Sequence, residues 1–276
     1  MILFLKILFK GFYFFAGNKY YRKFLWLVLF YSSRKRYKQI QLKVAGYHLL
    51  IADNLSFIWQ FKELFADNIY CFASGTDKPL IYDCGSNIGL SCLYFKKLYP
   101  LSRIKAFEAD PEIAAILKKN ISKNNIKGVE IFDNAIWIKD EQINFIAEGA
   151  DRGFISDSGS NAKMQVQAIR LRTLLEKEDH VNMLKMDVEG AETTIIEDCR
   201  DVLFKIDNIF IEYHSFNNKE QNLEKILVVL KENNFRYYIQ AANNRKTPLI
   251  NTGKETAMDF QANIFAYNNK KQNFPN

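Results

Sequence analysis

Residues 80–89 read LIYDCGSNIG, an apolar run that ends at Asp83 and passes into a turn with glycine at positions 85 and 89. A short apolar run bounded by turn residues is typical of a buried β-strand. Glycine lets the backbone come close to a ligand, and the N-terminus of a following helix offers unpaired N–H groups. The stretch therefore predicts a strand, a ligand-binding turn that contains Gly85, Asn87 and Gly89, and a helix.

The next apolar run ends in FEAD and places Glu108 23 residues after Gly85. An acid at the end of the second strand of such a unit commonly binds two ribose hydroxyls. The glycine spacing is G-x-x-x-G, and it lacks the G-x-G-x-x-G arrangement that brings the backbone against a pyrophosphate. The two features favour a nucleoside ligand without phosphates, and S-adenosylmethionine fits that description.

Residues 133–137, DNAIW, lie near the end of a third apolar run. If the three strands lie side by side, Asn134 and Ala135 fall where the adenine edge of such a ligand would lie. An ordinary turn is the alternative interpretation of this short segment.

Strand-like and helix-like segments alternate regularly from Pro79 onward, which indicates a parallel sheet covered by helices on both faces. Asp110 and Pro111 are suited to cap and begin the helix predicted at 111–125. The Gly-, Ser- and Asp-rich stretch Ala147–Lys163 predicts a mobile surface loop. The predicted strands are 80–85, 103–110, 129–137, 180–187, 206–214, 236–240 and 262–267.

The segment before this alternation predicts a smaller unit. Residues 39–53 alternate around Ala45-Gly46 and predict a hairpin. A helix is predicted at 56–70, with Asn54 or Ser56 as its N-cap.

The segment LKMDVEGAETTII, residues 184–196, places three carboxylates around Gly190 where a buried strand stops. Asp187 ends the strand, and we expect it to face the bound ligand or its reaction partner. Glu189 follows within reach of a ligand. Glu192 is placed to stabilise the start of the following helix through the helix dipole, so we expect a structural role for it.

Together these segments resemble the class I S-adenosylmethionine-dependent methyltransferases, and specifically the FkbM family. The resemblance covers most of the chain from Ala52 to Tyr267, and it rests above all on LKMDVEGAE followed by IEYH. YDCGSNIG, FEADP and NAIW occur more broadly among methyltransferases, and ELFADNIY resembles the family's lead-in helix. The sequence departs from the family at Cys84-Gly85-Ser86, where an aliphatic residue, Gly and Ala are more common.

The resemblance implies an α/β fold with a doubly wound, mostly parallel, seven-stranded Rossmann-like sheet whose last strand is antiparallel. It also implies S-adenosylmethionine as the cofactor and methyl transfer to oxygen, often a hydroxyl of a sugar or polyketide-type molecule. The cofactor-binding positions that it implies are Asp83, Gly85, Asn87, Gly89, Glu108, Asn134, Ala135 and Asp187.

Glu212 and His214 lie two residues apart at the end of the run 206–214, so both can point to one side of the sheet. Because an alcohol acceptor has a proton to lose, we expect Asp187, Glu189, Glu212 and His214 to form the catalytic end of the site, with His214 as the candidate base. A strand-end histidine that only binds a neighbouring loop is the alternative. The same four side chains could hold a divalent cation, but no ligand spacing demands one and no metal is predicted.

The first 52 residues carry ten basic side chains and no acidic one, so the net charge of +7 belongs to the N-terminal region. We divide the chain into an apolar, basic helical arm at 1–37 and a methyltransferase domain at 38–276. The arm's longest uncharged run, Phe24–Ser33, is ten residues long, which is too short to span a bilayer. We expect peripheral membrane contact through this arm, with packing on the domain or an oligomer interface as alternatives. No nucleic-acid partner is expected, because the basic residues alternate with apolar ones.

Four cysteines show no C-x-x-C pairing, which favours buried thiols in a reducing compartment. We therefore expect a cytosolic protein, and the N-terminal arm would place it at the inner membrane face. From the family resemblance, we expect it to methylate a hydroxyl of a sugar, a glycan or a related small molecule. An NAD(P)-type oxidoreductase and a non-catalytic membrane-attached module are the alternatives.

Overall fold

The computed structural model describes residues 17–147, 153–155, 164–242, 245–251 and 256–270. Its centre is a seven-stranded sheet in which five neighbouring strands run parallel and one strand, inserted near an edge, runs antiparallel to both of its neighbours. This is the fold predicted from the βα alternation and from the family resemblance.

The first half of the sheet follows the predicted order of strand and helix. Asp110 caps its second helix and Pro111 begins it, as expected. The elements are β3 (Leu80–Cys84), α3 (Leu90–Leu98), β4 (Arg103–Phe107), α4 (Pro111–Lys123) and β5 (Val129–Phe132), which follow the N-terminal α1 (Lys19–Tyr31), β1 (Ile40–Val44), β2 (Tyr47–Ile51) and α2 (Asn54–Phe61).

The expectation of one strand over 129–137 is wrong. The chain leaves the main sheet after β5, and a separate four-stranded sheet begins at Ala135. Gly153–Ile155, inside the stretch predicted as a loop, is a strand of this second sheet; 148–152 and 156–163 lie outside the described residues. The four strands are β6 (Ala135–Trp137), β7 (Gln142–Ala147), β8 (Gly153–Ile155) and β9 (Met164–Arg170).

The second half of the main sheet completes the order β12-β13-β11-β10-β3-β4-β5. Six consecutive buried residues in β10 explain its uninterrupted apolar pattern, since helices cover both faces of a parallel sheet. The elements are α5 (Leu171–Glu176), β10 (Val181–Met186), α6 (Glu192–Asp198), β11 (Ile206–Phe216), α7 (Leu223–Glu232), β12 (Phe235–Ala241) and β13 (Met258–Asn268).

The N-terminal elements pack on the same core. Phe24 and Leu27 of α1 are buried in the cluster that also holds residues of α2, α3 and α4. The hairpin turns at Ala45-Gly46 as predicted, but Asp53, and neither Asn54 nor Ser56, caps α2. A π-helical turn, Lys62–Ala66, continues α2, so the predicted helix is distorted before it ends.

Candidate active site

The carboxyl ends of the parallel strands open into a cavity of about 460 Å³. The expected catalytic residues and most of the expected cofactor residues line it, because strands that run in the same direction end at one edge of the sheet. Asp83 and Gly89 do not line the cavity. The predicted residues that line the cavity are Gly85, Asn87, Glu108, Asn134, Ala135, Asp187, Glu189, Glu212 and His214.

The turn after β3 needs glycine at position 85. Gly85 has a φ of +83°, and a Cβ on it would lie 1.8 Å from the backbone oxygen of Asp187. Its N–H donates to the carbonyl of Phe107 at 3.0 Å. The turn is therefore held between the ends of β10 and β4, with its backbone exposed to the cavity.

Asp83 supports this turn from below. It is fully buried, and its Oδ2 accepts a hydrogen bond from Ser91 Oγ at 2.5 Å. Its other oxygen, Oδ1, has no hydrogen-bond partner among the described residues and lies 3.7 Å from Lys185 Nζ. Gly89 is the left-handed N-cap of α3, where a Cβ would meet Leu117 of α4 at 2.4 Å. Both residues shape the turn, and neither reaches the cavity.

Lys185 is a site residue that the sequence reasoning missed. Its ammonium group is buried beneath the glycine turn and donates to the carbonyls of Cys84 and Gly85, at 3.2 and 2.5 Å. Asp187 Oδ2 lies 3.3 Å away. Burial lowers the pKa of Lys185, but Asp187, Asp83 and Glu212 outweigh that effect and raise it, so the lysine stays charged. A lysine inside the apolar run NMLKM was the available signal.

Glu108 is held by two backbone N–H groups, one from the turn after β3 and one from the start of α4. Its two oxygens accept hydrogen bonds from the N–H groups of Asn87 at 2.8 Å and Asp110 at 2.9 Å. Burial raises the pKa of Glu108 to about 7, although both N–H donors oppose the shift. Each oxygen keeps a lone pair for a further donor, so the carboxylate can accept two more hydrogen bonds. The expected contact of Glu108 with ribose hydroxyls stays a prediction.

The far wall of the crevice is apolar and suits a flat ring. Ala135, Ile136 and Phe145 line it, and Asn134 stands beside them with its amide donating to the carbonyl of Gln167 at 3.1 Å. The glycine turn, the carboxylate of Glu108 and this apolar wall are the kinds of group that the amino-acid end, the ribose and the adenine of S-adenosylmethionine require. Asn134 and Ala135 line the cavity, and their contact with an adenine stays a prediction.

Glu192 organises the turn after β10. Its carboxylate accepts hydrogen bonds from the N–H groups of Val188 and Gly190 at 3.2 and 3.0 Å, and Nδ1 of His214 lies 3.0 Å away. Glu192 begins α6, which agrees with the expected structural role. The same contacts hold Glu189 at a φ of +55° with its side chain at the cavity.

His214 is buried between acids. Burial lowers its pKa, but Glu192, Glu189 and Asp187 outweigh that effect and raise it well above its usual range. The raised pKa favours the imidazolium form, which has no free lone pair for a proton. The role of His214 as the base stays a prediction.

Glu212 and His214 share one neighbour, as the spacing of two predicted. The amide nitrogen of Gln261 donates to Glu212 and lies 3.3 Å from His214 Nε2. Burial and the negative charge of Asp187 raise the pKa of Glu212 to about 8. The raised pKa favours the protonated form of Glu212, which can donate a hydrogen bond as well as accept one.

Ligand atoms of Asp187, Glu189 and His214 lie within 4.8 Å of one another, a spacing that a divalent cation could bridge. Lys185 and Glu192 already contact two members of this trio. The expectation that the site works without a metal stays a prediction.

Residues 83–237 match the family model described as "Methyltransferase FkbM domain", which is more than half of the chain. The chain is 30% identical to "Methyltransferase 1" of Beauveria bassiana over 55% of this chain and 71% of that protein. It is 27% identical to "2-O-methyltransferase NoeI" of Sinorhizobium fredii over 49% of this chain and 63% of that protein. A solved structure, "Methyltransferase FkbM from Methylobacillus flagellatus", superposes with a TM-score of 0.44 at 15% identity, over 70% of this chain and 45% of that one.

Proposed function

Because the chain belongs to the FkbM methyltransferase family, we propose that it transfers the methyl group of S-adenosylmethionine to a hydroxyl oxygen of a sugar, a glycan or a related small molecule. The observation that carries the proposal is a single cavity in which the glycine turn and Glu108 adjoin the acids Asp187, Glu189 and Glu212. One relative, the 2-O-methyltransferase NoeI of Sinorhizobium fredii, supports oxygen as the accepting atom.

The cofactor would be held by residues from three strand ends. Glu108 would bind the ribose hydroxyls, and Asn134 and Ala135 would contact the adenine. The backbone at Gly85 and Asn87 would face the amino-acid end, with Asp187 beside it. When bound, S-adenosylmethionine supplies an electrophilic methyl group on a positively charged sulfur.

The protein's part in such a transfer is alignment, exclusion of water and acceptance of one proton. Lys185 fixes the turn and Asp187 relative to each other through its contacts with both. Glu212 and Gln261 offer a donor and acceptor pair that can orient an acceptor hydroxyl. A metal ion is not required for any of these tasks.

Radiolabelled methyl transfer tests this proposal. The full chain and tritiated S-adenosylmethionine are added to glycan, lipid and small-molecule fractions from the source cells, and labelled products are treated with alkali. We expect label in a carbohydrate fraction that survives alkali, because ethers resist it and methyl esters do not. Label confined to alkali-labile products would contradict O-methylation of a hydroxyl.

We also propose that α1 contacts a lipid surface. Leu25, Trp26, Leu29 and Phe30 are exposed at helical spacing on the face opposite the buried Phe24 and Leu27. Lys19, Arg22 and Lys23 at one end, with Arg34 and Lys35 after the other, would meet anionic headgroups. Packing on the domain, the alternative interpretation of the arm, therefore applies to one face of α1, the face that carries Phe24 and Leu27. No helix among the described residues is long and apolar enough to cross a bilayer.

Flotation with lipid vesicles tests this contact. We expect the full chain to float with vesicles that contain phosphatidylserine, and the double variant Leu29→Glu, Phe30→Glu to float less. Leu249→Glu, Ile250→Glu is the matched control, because those two residues are also exposed but lie far along the chain from α1. Equal flotation of the α1 variant and the wild type would contradict the proposal.

A further inference from the structure

One wall of the cavity is formed by residues that precede the part of the chain matched by the FkbM family model. That match begins at residue 83. α2 and the π-helical turn supply most of this wall, opposite the strand ends that hold Asp187 and Glu212. The wall residues are Arg36, Leu55, Ser56, Trp59, Gln60 and Glu63.

Trp59 presents an open aromatic surface at this wall. Its side chain is 56% exposed although it lines the cavity, and its ring centroid lies 5.7 Å from that of the buried Phe24. The contact with Phe24 fixes the ring from one side. A large aromatic ring held in this way offers a flat apolar face at low entropic cost, and it suits the C–H face of a pyranose.

Glu63 points into the cavity from the π-helical turn. The turn buries Leu64, Phe65 and Ala66, and π-type turns often occur at functional sites. The carboxylate of Glu63 forms no hydrogen bond or ion pair with the described residues. The neighbouring Lys62 is paired instead with Asp67, at 2.5 Å.

Glu63 shares the cavity with Asp187 and Glu212, and the charges of these groups affect one another. Glu63 is exposed to solvent, and partial desolvation by the surrounding protein raises its pKa to about 6. Lys62 opposes this shift, and the negative charges of Asp67 and Asp187 add to it. The charge of Glu63 in turn raises the pKa of Glu212. Among the residues of this wall, Glu63 supplies the carboxylate, so it is the group on this side of the cavity that can take a proton.

We propose that Trp59 and Glu63 form the acceptor subsite: a pyranose ring stacks on Trp59, and Glu63 accepts the proton of the hydroxyl that is methylated. The acceptor oxygen bonds to the methyl carbon while the carbon–sulfur bond breaks, the electron pair stays on sulfur to give a neutral thioether, and the hydroxyl proton passes to Glu63. This inference rests on the proposed O-methyltransferase function and deepens it.

The test uses the full chain with methyl α-L-rhamnopyranoside, methyl α-L-fucopyranoside and methyl β-D-glucopyranoside as acceptor probes. Formation of S-adenosylhomocysteine is followed from pH 5 to pH 9. For the wild type we expect turnover of at least one glycoside and an acidic limb in kcat near the pKa of Glu63.

Glu63→Gln should lower kcat about 100-fold or more and abolish the acidic limb, while the Kd of S-adenosylhomocysteine stays unchanged. Asp67→Asn is its control on the same turn. It should keep kcat within about threefold and move the limb to slightly lower pH, since Asp67 raises the pKa of Glu63.

Trp59→Ala should raise KM for the glycoside about tenfold or more with little change in kcat, and Trp59→Phe should restore most of the affinity. Phe204→Ala is the matched control, because Phe204 is also 56% exposed but does not line the cavity.

Three results would overturn the subsite. One is a wild-type limb that persists in Glu63→Gln, and another is an unchanged KM in Trp59→Ala; both leave the methyltransferase standing. The third is binding of S-adenosylmethionine with no turnover of any glycoside. Failure to bind S-adenosylmethionine would instead contradict the proposed function itself.

Discussion

Lys185 connects the two strand ends that form the crevice, because its ammonium group contacts the carbonyls of Cys84 and Gly85 and the carboxylate of Asp187. Asp83, also buried, depends on the same positive charge. Buried acids that lose their counter-charge are strongly destabilising. We therefore expect Lys185 to contribute to stability and, through the glycine turn and Asp187, to cofactor binding.

Lys185→Met tests this role. We expect the free energy of unfolding in urea to fall by roughly 3–5 kcal/mol, because Asp83 and Asp187 lose their cation. Lys105→Met is the control, since Lys105 pairs with Glu178 at a partly exposed position and its loss should cost about 1 kcal/mol or less. Equal losses in the two variants would show that Lys185 does not neutralise a buried pair.

Glu108 makes cofactor binding depend on pH. Its pKa in the folded chain is raised to about 7, so its proton must leave before both oxygens can accept ribose hydroxyls. We expect the Kd of S-adenosylhomocysteine, measured by calorimetry, to tighten about tenfold between about pH 6 and pH 8. Glu108→Gln should bind more weakly at high pH.

The same raised pKa makes the free energy of unfolding fall as pH rises, whereas it makes ligand binding tighter. Glu108 contributes to the stability of the ligand-free chain below its unfolded pKa, and that contribution is lost as pH rises through about 7.

Glu108→Gln is also the control for the pH dependence of ligand binding, because Glu63 and Glu212 remain in this variant. If its Kd changed with pH as much as that of the wild type, another group would be responsible.

At the scale of elements, we expect the glycine turn after β3 to be highly sensitive to an added side chain. Gly85→Ala should weaken binding of S-adenosylhomocysteine beyond detection and destabilise the chain, because the added Cβ would meet the Asp187 carbonyl. Gly46→Ala is a matched control with a φ of +92° and open space around it, so it should cost only about 1 kcal/mol of backbone strain. Equal effects on urea unfolding would contradict the close approach of β3 and β10.

Helix α1 belongs to the core by one face only. Leu27→Ala should lower the free energy of unfolding by about 2–5 kcal/mol, because Leu27 is fully buried. Leu29→Ala, at an exposed position of the same helix, should change it by less than about 0.5 kcal/mol. Denaturant unfolding of both variants measures the difference. If Leu27→Ala were as mild as Leu29→Ala, α1 would not be part of the core.

Elements whose burial pattern is local could be predicted from the sequence. Asp110 and Pro111 mark the start of α4, and the apolar runs of β3 and β10 match strands covered on both faces. The break between Phe132 and Ala135 could not be predicted, because a continuous apolar pattern does not show which sheet each half joins. The residue that caps the N-terminus of α2 could not be predicted either. Asp53, Asn54 and Ser56 are all capping types, and the choice depends on Arg36, which binds Asp53 from a distant position.

Across the whole molecule, the site combines segments that are far apart in the sequence. Glu63, Glu108, Asp187 and Gln261 line one cavity but come from four separate regions of the chain. Strand-end acids could be predicted, since parallel strands end at one edge. The charge state of each side chain could not, because the neighbours that set it are brought there by the fold. His214, the expected base, shows this most clearly.

The central claim is that the carboxyl edge of the sheet binds S-adenosylmethionine, and calorimetric titration of the full chain tests it most directly. We predict saturable binding of S-adenosylmethionine with a Kd in the micromolar range or tighter, much weaker binding in Glu108→Gln, and no binding of NAD. Binding of NAD without binding of S-adenosylmethionine would contradict the account and identify the crevice as the site of an oxidoreductase.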